Sequence, residues 1–413
     1  MRVVSGRCGS ILLLLLILIQ IALPFPPVAS ADGGAPNLAY VSGSPPGISV
    51  IDVGQARVTK TIPVPGNPHT ILLSLDGRYL YVTQPDRERV SVIATFTEQT
   101  ICTAHIAGTP TLLALDQNEN ILYAAGNGAT TVSALDPLTC ALKHTFEVGS
   151  PVYGIALTSP GVGVSHITSN QLWVAGAQTL TIFDDYTGRS LSSVAIPGGP
   201  HYLSIPPGGD TVYVTTHQGT VDAVDIRTHT IHQLLSGGIF GPMDYDALSY
   251  EIYVPDAQHH LLDVLAPVDP SMTTLPREPE REIRLDAPPA SVAITNDGQL
   301  GFVAFEGGKV AMLDLLDRQV AYTVSVGGTP QFIITGLYPT AIQPGRPGPS
   351  KGNPPLASRP PILLFPGLPV IVLVLVVILI LQYRRAKHRG QVTTREQSRH
   401  IAMPGEQRSI DPR

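Results

Sequence analysis

The chain has 413 residues, of which 43% are hydrophobic and only 14% charged, with 39 Gly and 39 Pro. That apolar content excludes a disordered chain, and the abundance of turn formers points to a strand- and turn-rich fold. The formal charge of −6 conceals a split: after Tyr383 there are eight Lys and Arg against three acidic residues, whereas 16 face 29 between the first ten residues and Tyr383. An acidic exterior of that kind argues against a nucleic-acid partner.

In chain order, residues 1–31 have the layout of a secretory signal. Arg2 and Arg7 precede an apolar run from Ile11 to Leu23, and "Ala29-Ser30-Ala31" then supplies small residues for cleavage between Ala31 and Asp32. Cys8 lies before the apolar run, so it is not the lipidated Cys of a lipoprotein.

From Leu38 to Leu337 one strand–turn–strand pattern recurs. Second strands open on an aromatic residue in "YVSG" (Tyr40), "YVTQ" (Tyr81), "YAAG" (Tyr123), "WVAG" (Trp173), "YVTT" (Tyr213), "YVPD" (Tyr253) and "FVAF" (Phe302). The period of about 40 residues is that of a four-stranded propeller blade. A third strand follows each, as in "RVSVIAT", then a fourth strand, a Gly/Pro turn such as "PGNPH" or "GGPHY", and an inner strand. Seven copies of each strand predict an all-β, seven-bladed β-propeller over 32–339. The series starts on a second strand and ends on an inner one. The last inner strand must therefore join the first three strands in a single sheet, which closes the ring and removes its open edges.

Beyond the repeats, 340–361 is a Pro-rich stalk with a reach of up to about 60 Å at about 3 Å per residue. Residues 362–383 carry a 20-residue apolar run from Ile362 to Leu381, long enough for one transmembrane α-helix. Arg384, Arg385, Lys387 and Arg389 open the basic tail 384–413, the positive flank expected on the cytoplasmic side. The expected topology is a single-pass protein of the cell membrane with its propeller outside.

"YVTQ", "YVTT", "VSVI", the "GxP" turns and "SLDGRYLYV" resemble the YVTN-type repeats of bacterial and archaeal surface proteins, which are akin in style to lactonase-like and nitrite-reductase-type propellers. The resemblance covers about Leu38 to Leu337 and implies a cell-surface propeller without naming a ligand. Insertions at "PGVGVSHITSN" and "APVDPSMTTLPREPEREI" depart from it, both at turn positions.

Strand order puts the fourth-to-inner turns and second-to-third loops on one face, from which the stalk does not depart. This face is the expected binding surface, because loops on a rigid scaffold carry variable chemistry. Its candidates are His69, His201, Tyr202, Met243 and Gln331 at the Gly/Pro turns, with Arg87, Arg89, His217, Asp256, His259, Glu306 and Lys309 in the loops. His69 and His201 stand three blades apart without a third ligand in either turn, so no metal and no cofactor is expected. His259 and His260 would point to opposite faces if extended.

Asp52, Asp136, Asp184, Asp225 and Asp314 recur at third-strand ends, which assigns them to tying turns. No G-x-S-x-G, H-E-x-x-H, C-x-x-C-H or P-loop is present. Cys102 and Cys140 lie in adjacent blades whose outer strands fan apart, which weighs against a bridge. The expected function is binding, adhesion or envelope scaffolding toward an envelope protein, glycan or polymer, by a protein taken as a monomer. The alternative is an exported enzyme, lactonase-like or a cofactor-dependent oxidoreductase.

Overall fold

The computed structural model describes residues 37–336, apart from 45–46, 117–119, 159–169, 207–209 and 269–280. Seven four-stranded antiparallel sheets account for this part of the chain. Blade 1 joins the inner strand Ile333–Gly336 to Leu38–Ser44, Gly47–Asp52 and Arg57–Pro63. Blades 2 to 7 follow as 71–105, 109–147, 154–195, 200–236, 244–284 and 289–325. The expected closure is present, with Tyr40 opposite Ile334 and Val41 opposite Ile333. Ser42 N–H extends the pairing by donating to the Phe332 carbonyl at 2.9 Å.

The repeated aromatic residue has a single structural job. Seven core clusters fill the seven interfaces between neighbouring blades. Tyr40 packs toward blade 2, Tyr81 toward blade 3 and Trp173 toward blade 5, and Phe302 returns to blade 1. All four are buried. Alternation along each strand sends adjacent side chains into opposite interfaces. Strands covered on both sides therefore read as nearly continuous apolar runs. Since every cluster is built from residues of 38–336 and the ring closes on itself, the disc holds its own core.

One end of the disc is built from a repeated turn. Asp136 accepts the backbone N–H groups of Leu138 (3.1 Å) and Thr139 (3.0 Å), and Asp225 those of Arg227 (2.8 Å) and Thr228 (2.6 Å). Asp52, Asp184 and Asp314 make the equivalent bonds, as expected from the sequence. Four residues after the position of each Asp the backbone is left-handed, at Ala56, Cys140, Gly188, His229 and Arg318. Only one of these is glycine.

The bridge judged unfavourable from sequence exists: Cys102 and Cys140 are joined, with their Cα atoms 5.7 Å apart. Cys140 sits not on an outer strand but in the left-handed position of the third-to-fourth turn of blade 3. That turn reaches back to the outer strand Thr100–His105 of blade 2.

Among the described residues no helix is long and apolar enough to cross a membrane, and the single helical element is a 3-10 turn at Pro85–Arg87. The segments 1–31, 340–361, 362–383 and 384–413 lie outside the described residues, with Ala31, Asp32, Arg384, Arg385, Lys387 and Arg389. Most of both insertions does too.

Candidate functional site

The inner strands stand around a central channel, and at one mouth all seven blades contribute to a cavity of about 530 Å³. Blade 5 supplies its centre. His201 lies on the inner strand Pro200–Ser204, and Gly154 of blade 4 packs directly on its backbone. A Cβ at Gly154 would come within 2.0 Å of the His201 carbonyl oxygen, so only glycine lets these inner strands approach so closely.

Three rings meet around His201. The His217 imidazole stacks on it at a centroid distance of 4.5 Å, and Tyr202 lies at 3.9 Å. Tyr153 of blade 4 stands edge-on to both imidazoles, at 6.5 Å from His201 and 4.8 Å from His217. Burial, with the neighbouring His217, pushes the His201 pKa down to about 4. His201 is therefore a neutral imidazole at pH 7. His69 enters the same cavity from the turn before blade 2, its Nδ1 3.0 Å from Thr70 Oγ1 and its pKa lowered by burial. The hydroxyls around it also tie neighbouring blades together: Ser42 Oγ donates to the His69 carbonyl and Thr70 Oγ1 to the Thr111 carbonyl.

Among the described residues the lining has no Lys or Arg and one carboxylate, Glu306. Met243, Gln331, Thr216, Asn127 and the rings of Phe240 and Phe332 complete the neutral wall. The chemistry available is hydrogen bonding from hydroxyl, amide and neutral imidazole groups, together with flat apolar ring faces. A highly charged anion would find no counter-charge here.

Seven of the twelve sequence candidates share this cavity or its edge: His69, His201, Tyr202, His217, Met243, Glu306 and Gln331. Five do not line it. Asp256 is 3% exposed, and its carboxylate accepts from Ile239 N, Gln258 N and His259 N, so it ties its own loop to the neighbouring turn at Ile239. His259 Nδ1 is 2.6 Å from Asp256 Oδ2, and that bond raises the His259 pKa. His259 and His260 occupy a tight turn rather than an extended strand, with His260 left-handed at φ 57°. Arg89 donates to the buried Gln84 side chain at 2.9 Å, Arg87 ends the 3-10 turn, and Lys309 opens a third strand on the surface. Tyr153, Asn127 and Phe240 were not marked by sequence. The "SPVY" turn hints at Tyr153, but only the packing of blade 4 on blade 5 brings it to the histidines.

Close to this face, two third strands carry buried carboxylates at the same position. Asp263 is held up to about 7 by burial and by the charges of Asp256 and Glu282, against the opposing pull of His259. Asp222 is held up to about 6 by burial, partly offset by Thr220. Thr220 Oγ1 lies 3.4 Å from Asp222 and 2.7 Å from Thr216 Oγ1, which lines the cavity. Among the described residues no group of three or more His, Cys, Asp or Glu is placed to hold a metal ion.

Fold and site together define a seven-bladed β-propeller with a neutral, ring-walled cavity at one mouth of its channel. The same fold occurs in the periplasmic gluconolactonase PpgL of Pseudomonas aeruginosa, 19% identical over 72% of this chain and 98% of that one, with a TM-score of 0.57. Apo AztD of Citrobacter koseri is similar at 13% identity, covering 73% of this chain and 97% of its own, with a TM-score of 0.55. The dihydro-heme d1 dehydrogenase NirN in complex with DHE is similar at 14% identity over 76% and 78%, with a TM-score of 0.54. At these identities the likeness shows the fold alone. No family model matches the chain, so the YVTN-type resemblance gains no support there, and no curated protein matches it.

Proposed function

We propose that the chain is an exported binding module, tethered to the cell membrane by residues 362–383, whose channel mouth takes a neutral, hydroxyl-rich segment of an envelope glycan or polymer. The observation that carries this reading is the lining of the cavity: a stacked imidazole pair flanked by two tyrosine rings, hydroxyl and amide groups, and, among the described residues, a single carboxylate. Sugar rings bury their flat faces on aromatic rings and direct hydroxyls to neutral partners of this kind. The apolar run and its basic flank support the tether, and the last inner strand ends at Gly336 on the face away from the cavity.

Glycan-array binding and titration calorimetry on purified residues 32–345 test the reading. Binding of neutral saccharides, weakened at least about tenfold by Tyr153→Ala with the melting temperature unchanged, is the expected result. The second reading, catalysis in the same cavity, is favoured by the neutral His201 imidazole, which is free to take a proton. A screen of lactones and redox substrates separates the two: turnover abolished by His69→Ala or His201→Ala would replace binding with catalysis.

A further inference from the structure

The opposite face of the disc bears an unusual set of side chains. Among the described residues twelve large apolar side chains are exposed, and seven of them sit on turns of the face where the chain leaves the propeller. Phe96, Leu138, Tyr186 and Leu316 each occupy the tip of a third-to-fourth turn, and Leu75 and Leu248 the tip of an inner-to-second turn. Tyr186 is 84% exposed and Leu316 78%. The cavity face has one such residue, Ile239.

These tips are fixed in place. Asp136, Asp184 and Asp314 hold the backbone beneath Leu138, Tyr186 and Leu316, and the Cys102–Cys140 disulfide anchors the turn of Leu138 to blade 2. A polar residue would serve such a turn as well or better. The tips come from blades 2, 3, 4, 6 and 7. An array spread around the ring fits no groove-bound helix and no small ligand, but it does fit a plane. The sequence supplies one: the last described strand ends on this face at Gly336, and in the sequence a Pro-rich segment then leads to the 20-residue apolar run from Ile362.

We propose that this face docks on the surface of a phospholipid bilayer, with the apolar tips inserted at the headgroup boundary. The inference rests on the membrane-tether reading for the choice of partner. Tyr and Phe suit that boundary, and buried apolar area supplies the affinity. The excess of acidic over basic residues outside the tail excludes attraction to anionic lipid as the driver, so docking is insensitive to salt.

The test is flotation of residues 32–345 with phosphatidylcholine vesicles at low and high salt. Co-flotation at both salts is expected, reduced at least about tenfold in a Leu138→Ser, Tyr186→Ser, Leu316→Ser variant and unchanged in Tyr153→Ala. In parallel, full-length protein carrying Leu316→Trp is reconstituted with brominated phosphatidylcholine, and quenching of the new indole is expected. Absence of flotation, or flotation that the triple variant retains, overturns the docking face, as does an unquenched indole in membrane-inserted protein. Carbonate extraction of the full chain reports on the tether separately. Release by carbonate while the disc still floats overturns the tether and leaves the docking face supported.

Discussion

The two faces of the disc use the same residue types in opposite ways. On the chain-exit face, aspartates accept two or three hydrogen bonds from the turn that follows, and the same turn recurs around the ring. Near the cavity face, Asp222 and Asp263 are buried with their pKa values raised, and the second-to-third loops differ in length, three residues at 217–219 and 306–308 but four at 85–88 and 257–260. The exit face is shaped by what the fold requires. The mouth face departs from its own repeat, and positions freed from scaffold duty are where binding chemistry accumulates.

The sharpest way to break this contrast is to loosen the exit face. Cys102→Ser removes a cross-link between residues 38 apart, with an expected loss of about 4 kcal/mol from loop-closure entropy. Thermal unfolding with and without dithiothreitol measures it, and saccharide binding at the mouth should survive at temperatures below the lowered transition.

The next largest effect tests the buried acids. Asp263 binds its proton more tightly in the folded state than in the unfolded one. Its contribution is therefore favourable below the unfolded carboxylate pKa and is lost as pH rises toward about 7. Asp263→Asn should stabilise the protein by about 2 kcal/mol at pH 8 and by little at pH 4. His201 has the opposite sign. Held down to about 4, it releases protons on folding, and stability falls as pH drops from the usual histidine range toward 4. Chemical denaturation of His201→Gln across pH 4–8 should show a flatter acid limb than the wild type, with no change above pH 7.

The smallest effect sharpens the account of the exit turns. Ala56 is left-handed at φ 47°, where an L-residue is strained, and Ala56→Gly relieves that strain at some cost in unfolded-state entropy. A net gain of roughly 0.5 kcal/mol is expected, read as a small rise in melting temperature. A loss there would mean that the turn is held by contacts other than its backbone.

Much of the scaffold was legible because repetition is local. An aromatic residue about every 40 positions, with a Gly/Pro turn between, is enough to count blades and to require that the first and last strands share a sheet. The recurring aspartates could be assigned to turns for the same reason, since each acts within four residues of itself. Strand positions alone do not show the disulfide, because Cys140 stands in a turn that carries it to the neighbouring blade.

What the sequence determined by itself was thus the number of blades, the closure of the ring and the face to which each loop belongs. Period and alternation settle these without knowledge of any distant contact. Only the tertiary structure decided that Tyr153 of blade 4 meets His201 and His217 of blade 5, and that the turn of Cys140 reaches the outer strand of blade 2. Those relations join residues of different blades and depend on how far each sheet is rotated about the channel axis, a quantity that no local pattern in the chain encodes.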